Sequence, residues 1–267
     1  MSIICFIPAR YGSSRLPGKP LLEINGKPII QRTFEQTQKS KLIDETYVLT
    51  DNEKISSLIE SIGGKSIIIK EECNNGTERI CLALKKIYCE VSSLDSYINI
   101  RMIVNVQGDE PYINPEHIDI CIKKYLMLTK KELEQTKCTT LHYEIKKREK
   151  LESVTCGKMV LDKYDNVMYC SRNIIPWNKK NTPKQNPDTK YFGHIGMFCF
   201  EPIYLRDEYM PTTSRYQMEE DIEWLKILED GYKINSVLIN EDTEIGVNTS
   251  EDYNYLCRKY TKDITRL

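Results

Sequence analysis

The chain has 267 residues, 40% of them apolar and 29% charged, which suits one sizeable α/β domain or two small ones. Its 38 basic residues nearly cancel its 39 acidic ones, so nothing favours a nucleic-acid backbone as partner, whereas a small anionic ligand needs only a few local cations. The opening apolar stretch is too short for a signal peptide, no stretch has the length of a membrane span, and ten scattered cysteines without a C-x-x-C pair read as reduced thiols in the cytoplasm.

Short β-rich runs alternate with longer helical patterns, which predicts βαβ units and a mainly parallel sheet flanked by helices. Ile3–Ile7 is the first predicted strand, and a helix follows over Pro28–Lys39 with Pro28 at its first position. Tyr47–Thr50 is the second strand, and Glu53–Ile62 is a helix stopped by Gly63-Gly64. Next come a strand at Ser66–Ile69, a helix over Thr77–Cys89, a strand at Met102–Val106 and a helix over Pro115–Leu128. The second half carries a smaller β-containing elaboration. There Lys158–Asp162 and Asn166–Cys170 flank a Lys163-Tyr164-Asp165 turn, and Asn178–Thr189 reads as a surface loop. Gly193–Phe200 is strand-like, and Glu219–Glu229 reads as an amphipathic helix ending at Gly231. The mixed-sign run Lys146–Lys150 reads as a solvated face, His117 as a helix-surface residue and His142 as a strand residue.

Chemistry concentrates where the first strand ends, in Pro8-Ala9-Arg10-Tyr11-Gly12-Ser13-Ser14-Arg15-Leu16-Pro17-Gly18-Lys19-Pro20. Glycines let backbone N–H groups turn toward phosphate oxygens, and Arg10, Arg15 and Lys19 supply the charge to balance a triphosphate and its transition state. A Walker A loop is excluded, because one extra residue separates the glycines and Pro20 follows the lysine. The dinucleotide fingerprint G-x-G-x-x-G is missing as well. Asp109 lies just past the end of a predicted buried strand, where open α/β sheets place their ligands, and Mg²⁺ beside phosphates takes one or two carboxylates. Gln107 and Arg79 are candidates for reading the base or holding the nucleotide; a strand-end hydrogen bond and a helix-surface cation are the structural alternatives.

This loop resembles the nucleotide loop of the 3-deoxy-manno-octulosonate cytidylyltransferase (CMP-Kdo synthetase) family. Asn25-Gly26-Lys27-Pro28, Thr50-Asp51, Gly76-Thr77-Glu78-Arg79 and Val104-Asn105-Val106-Gln107-Gly108-Asp109-Glu110-Pro111 match too, followed in order by Ser171-Arg172, Ile175-Pro176-Trp177 and His194-Ile195-Gly196. The resemblance implies one domain of nucleotide-diphospho-sugar transferase type over residues 1–267. About 1–135 would bind the nucleotide, and about 136–267 the acceptor and a second copy in a homodimer. It implies CTP as donor, Mg²⁺ as cofactor and a 2-keto-3-deoxy sugar acid as acceptor. Ala9, Arg10, Gly12, Arg15, Lys19, Gly76, Arg79 and Gln107 would hold the nucleotide, Asp109 and Asn248 the metal, and Arg172, His194 and Glu223 the acceptor. Arg172 suits a carboxylate because its planar fork matches one bidentately.

Several positions depart from the family pattern. A second metal-binding aspartate is replaced by Asn248, which supplies an oxygen without charge and also admits a nucleotide-binding protein with little catalysis; Glu110, Asp242 and Glu244 are possible substitutes. Trp224 stands for a glutamine, Phe198 for a tyrosine, and Gly193 and Lys179 for arginines. Sites built on hydrogen bonds discriminate strongly when those bonds change, so an altered acceptor, an amino-deoxy sugar acid or a phosphonate, is the second expectation.

Overall fold

In the computed structural model, which describes residues 1–12, 16–91, 100–178, 189–210, 214–240 and 246–261, the opening apolar run forms β1 (Ser2–Pro8), buried on both faces. The hairpin β2 (Glu23–Ile24) and β3 (Lys27–Pro28) leads into α1 (Ile29–Thr37). Then follow β4 (Glu45–Thr50), α2 (Glu53–Ser61), β5 (Lys65–Ile68), α3 (Gly76–Val91), β6 (Ile100–Val106), α4 (Pro115–Leu126) and α5 (Lys130–Gln135). The second half adds β7 (Thr136–Glu144), α6 (Arg148–Glu152), β8 (Lys158–Leu161), β9 (Val167–Ser171) and β10 (Phe192–Phe200). It closes with α7 (Arg215–Glu220), α8 (Leu225–Glu229), β11 (Lys233–Ile239) and α9 (Ser250–Thr261).

Nine strands form one sheet in the order β11-β7-β10-β6-β1-β4-β5, with the β8-β9 hairpin attached to β10. The β6-β1-β4-β5 half is parallel, as the alternating pattern predicts, while β10 runs antiparallel to both β6 and β7. Alternation along β1 divides the core into two faces. Ile3, Cys5 and Ile7 pack with Ile30 and Phe34 of α1, Ile55 and Ile59 of α2 and Ile118 and Ile122 of α4. Ile4 and Phe6 pack with Ile80 and Leu84 of α3 and Leu225 and Ile227 of α8. The result is a helix–sheet–helix sandwich whose strand ends open onto one cleft. A third cluster, Ile24, Ile29, Val247 and Leu256, docks α9 against the β2-β3 hairpin.

The predicted first-half elements appear within a few residues of their expected bounds. Pro28 is the residue before α1 rather than its first turn, with ψ of 145°. Gly63 terminates α2 at φ 80°, in the left-handed region that glycine adopts without strain. His117 is a correction: it is buried in α4, not on its surface. The predicted Glu219–Glu229 helix is also corrected, because Asp221 at φ 51° breaks it into α7 and α8. The three residues between, Ile222, Glu223 and Trp224, thereby line the cleft together instead of spiralling around a helix. Residues 179–188 of the predicted surface loop lie outside the described residues.

Candidate active site

The cleft encloses about 1020 Å³, enough for a nucleotide with a second small molecule. At one end it is walled by Pro8, Ala9 and Arg10, where β1 leaves the sheet and Ala9 N–H donates to Leu49 O at 2.8 Å. Tyr11 N–H donates to Asp51 Oδ1 at 2.9 Å, which fixes the loop's departure, and Gly18 N–H returns to Tyr11 O at 3.2 Å. Lys19 then points its ammonium inward, 2.5 Å from Asp109 Oδ2 and 2.9 Å from Val247 O. Gly76 opens α3 so close to β1 that a Cβ there would stand 3.0 Å from Pro8 Cγ. Gly12 differs from expectation: it is exposed, off the cleft wall, with nothing within 4 Å of an added Cβ. Arg15 lies outside the described residues. Arg79 lines the cleft, yet it is not a surface cation. Its buried guanidinium donates to Ile69 O at 2.7 Å and sits 3.8 Å from Asp51, so it ties α3 to β5 and the loop.

Asp109 and Asn248 meet across the same end. Val247 N–H donates to Asp109 O at 2.8 Å, strapping the segment before α9 to the end of β6, and both side chains line the cleft. Asn248 N–H and Thr249 N–H donate to Asp252 Oδ2 at 3.0 and 2.9 Å, and Asp252 N–H returns to Thr249 Oγ1, a reciprocal cap that fixes this turn. Glu110 does not replace the missing carboxylate. It is wedged between Gly196 and Gly246, where added Cβ atoms would approach its Oε1 to 2.6 and 2.9 Å. Burial, reinforced by the charge of Asp109, pushes its carboxyl up to about 8. Asp242 and Glu244 lie outside the described residues.

The expected acceptor residues share the opposite end but are differently engaged. Arg172 donates to Glu220 O at 2.8 Å, Val154 O at 3.0 Å and Asp221 O at 2.6 Å, with Asp221 Oδ2 at 3.2 Å. Its fork therefore braces the break between α7 and α8, and an acceptor carboxylate must share it with Asp221. His194 stacks on Phe198 at 5.1 Å between centroids and meets Trp224 at 5.3 Å. Burial, aided by Arg172, lowers its pKa to about 3, so the ring is neutral. Its Nε2 is a buried atom without a hydrogen-bond partner among the described residues. Glu223 turns away from this end: its carboxylate accepts from Thr77 N–H at 3.0 Å and from Gln107 Nε2 at 2.5 Å. Trp224 and Phe198 are buried and form an apolar wall where the resemblance leads one to look for polar groups.

Sequence reasoning missed Tyr143 and the place of the lysine run beside the cleft. Tyr143 lines the cleft, its hydroxyl 3.3 Å from Cys156 Sγ, and fills the space a side chain at Gly193 would take. Lys150 lies over its ring at 4.2 Å, and Lys146 and Lys147 line the same cleft while staying exposed, so the run is solvated as expected and also borders the cleft. Tyr255 and Lys259 of α9 line it as well. Adjacent like charges were the available signal in the run, but their facing depends on how α6 follows β7.

The cytidylyltransferase family model matches residues 4–234. The 3-deoxy-manno-octulosonate cytidylyltransferase of Protochlamydia amoebophila is 35% identical over 264 residues, covering 97% of this chain and 96% of that protein. The 8-amino-3,8-dideoxy-manno-octulosonate cytidylyltransferase of a Shewanella species is 33% identical over 252 residues, 94% of this chain and 96% of that one. Among solved structures, a CMP:2-keto-3-deoxy-manno-octonic acid synthetase complexed with CTP superposes with a TM-score of 0.82 at 26% identity, covering 98% of this chain and all of that one. With matches along nearly its whole length, the chain belongs to the 3-deoxy-manno-octulosonate cytidylyltransferase family of enzymes.

Proposed function

We propose that this protein transfers the cytidylyl group of CTP to the anomeric hydroxyl of 3-deoxy-manno-octulosonate or a close 2-keto-3-deoxy relative, releasing pyrophosphate. One observation carries the reading: a single cleft holds a lysine–aspartate pair with a nucleotide loop at one end and the Arg172–His194 pair at the other. The anomeric oxygen attacks the α-phosphorus, the bond from that phosphorus to the bridging oxygen breaks, pyrophosphate departs and the hydroxyl proton leaves to solvent. Lys19 and Arg10 neutralise the triphosphate, and Arg172 and the neutral His194 orient the acceptor, so the protein contributes positioning and charge.

The donor set fits magnesium. Asp109 and Asn248 are hard oxygen donors strapped together by the Val247–Asp109 bond, and no group of three or more acidic, histidine or cysteine side chains able to hold a metal occurs among the described residues. That matches an ion that takes one or two protein ligands and completes its shell with phosphate oxygens and water. When bound, the ion supplies charge stabilisation at the phosphates. The nine free cysteines of the described residues support a reducing compartment such as the cytoplasm, and a homodimer built on the second half accompanies this reading, tested by light scattering.

Pyrophosphate release from CTP and Mg²⁺ with a panel of sugar acids tests the proposal; no release with any of them refutes it. The apolar wall of Trp224 and Phe198 favours a second reading in which the acceptor is a relative such as the 8-amino sugar acid. The ratio of kcat/KM for the two acceptors decides between them.

A further inference from the structure

Glu223 sits at the acceptor end in sequence terms, but its carboxylate is committed to the nucleotide end. The break at Asp221 lets residues 222–224 cross the cleft, and Glu223 reaches the first turn of α3 and the end of β6. One oxygen accepts from Thr77 N–H at 3.0 Å, and the other accepts from Gln107 Nε2 at 2.5 Å. Burial raises the Glu223 carboxyl above its ordinary value, and the hydrogen bonds from Thr77 and Gln107 offset part of that rise.

That arrangement has a consequence for Gln107. The amide nitrogen faces Glu223 Oε1 at 2.5 Å, so the amide oxygen faces elsewhere. Among the described residues nothing donates to Gln107 Oε1, which stands 3.5 Å from the position of a Cβ on Gly76, on the cleft wall. The main chain at Gln107 is held on both sides, its N–H by Gly196 O at 3.0 Å and its carbonyl by Glu110 N–H at 3.1 Å, and its side chain is held by Glu223. The oxygen is thus presented as an acceptor beside the turn that the nucleotide loop faces. A triphosphate has no donor to offer it. The nucleoside has two kinds, the exocyclic amine of cytosine and the ribose hydroxyls.

We propose that Glu223 is a positioning residue for the donor nucleotide: it fixes the Gln107 amide so that its oxygen accepts a hydrogen bond from the nucleoside of CTP. This rests on the reading of the cleft as a CTP site. Replacing Glu223 by glutamine has a defined effect. The new side chain keeps an oxygen for Thr77 N–H, leaving its NH₂ toward Gln107, which must then turn its own oxygen inward. The amide presented to the cleft is inverted, and a donor replaces the acceptor.

The experiment measures kcat and KM of wild type, Glu223→Gln and Gln107→Met with CTP, UTP and 2′-deoxy-CTP, at saturating acceptor, and the acceptor KM separately. The expected result is that Glu223→Gln lowers the preference for CTP over UTP, if the amine is read, or over 2′-deoxy-CTP, if the ribose is read. The loss is roughly tenfold or more, the size of one oriented hydrogen bond, with the acceptor KM changed less than about twofold. Gln107→Met, which leaves Glu223 on Thr77, loses the same preference and serves if the first variant is poorly folded by circular dichroism. Unchanged preferences in both variants, or a rise confined to the acceptor KM, overturns the proposal. A wild type that binds no CTP removes the site reading as well, whereas selective CTP use by wild type with unchanged variants removes only the role of Glu223.

Discussion

Gly193 and Tyr143 offer a measurable test of how the acceptor end is built. Gly193 on β10 pairs with Tyr143 on β7, and a Cβ added at Gly193 would lie 2.5 Å from both Cζ and the hydroxyl oxygen of Tyr143 and 2.9 Å from its Cε1. Those atoms belong to a buried ring held by Lys150 on one face and by Cys156 at its hydroxyl, so they yield only by moving the ring off its site. Moving a methyl group from 2.5 Å to ordinary contact requires a displacement of about 1 Å, and overpacking of this kind costs about 1–3 kcal/mol. For a chain of this length that is a fall of roughly 2–5 °C in Tm for Gly193→Ala. In a Tyr143→Val background the obstacle is gone, and the same substitution becomes neutral or slightly stabilising, since alanine restricts the unfolded strand more than glycine does. The double-mutant cycle, read by urea unfolding, should therefore give a coupling energy of about 1–3 kcal/mol. Gly193→Ala should also raise the acceptor KM while leaving that of CTP unchanged. Additive effects of the two substitutions would refute the claim that Tyr143 occupies the place of a side chain at position 193.

Lys19→Met should lower kcat by about 10²–10³-fold, in the range found when one preorganised transition-state donor is removed, as checked by pyrophosphate release; a change below threefold would contradict its placement at the phosphates. Asn248→Asp should lower the half-saturating magnesium concentration by roughly tenfold, because ligand charge sets affinity at such sites, and an unchanged magnesium titration would place residue 248 away from the ion. His194, ordinarily near 6.5, is held at about 3 by burial and by Arg172, so the unfolded chain binds its proton first as pH falls. Its contribution is present above about pH 6.5 and is lost from there down toward pH 3, reaching about 2 kcal/mol at pH 5 as an upper figure, since one edge of the half-buried ring meets the cleft. Urea unfolding at pH 5 and pH 8 should show a smaller acid loss in His194→Gln; an equal loss would mean that the imidazole is not the group responsible.

The nucleotide half of the fold was legible because its signals are local. Pro28, the Gly63-Gly64 stop and the all-apolar β1 each act within a few residues, and the loop's cations follow directly from the strand that carries them. β7 and β11 carried no such punctuation. Thr136–Glu144 mixes threonines, a histidine and a tyrosine, yet it is buried on both faces, paired inside the sheet between β10 and β11 with α4 packed against it. The break at Asp221 was illegible for a different reason: an aspartate in the left-handed region has no distinctive neighbour pattern, whereas a glycine there would have marked the turn. Site residues followed the same rule. Lys19 and Asp109 line the cleft together, but which groups already hold Arg79, Arg172 and Glu223 depends on segments far away in the chain.

Those prior engagements pair many of the charges that line the cleft. Lys19 and Asp109 neutralise one another at 2.5 Å, and Lys19 gains Val247 O as a second acceptor, so neither charge faces the cleft alone. On the proposed reading, ligand binding would be an exchange of partners: Lys19 would turn to phosphate oxygens and the Asp109 carboxylate toward a cation, and the number of paired charges would not fall. Pairing of this kind avoids the large desolvation cost that an unpaired buried charge would carry. The exchange would also require the two residues to move independently, and the segment that would resist is the strap from Val247 to Asp109, which is made of backbone and leaves both side chains free to turn. The same logic separates the two ends of the cleft. Arg172 is braced on three carbonyls that do not leave, whereas Lys19 is held by a carboxylate that has somewhere else to go, so substrate arrival should reorganise the nucleotide end and leave the acceptor end nearly as it stands.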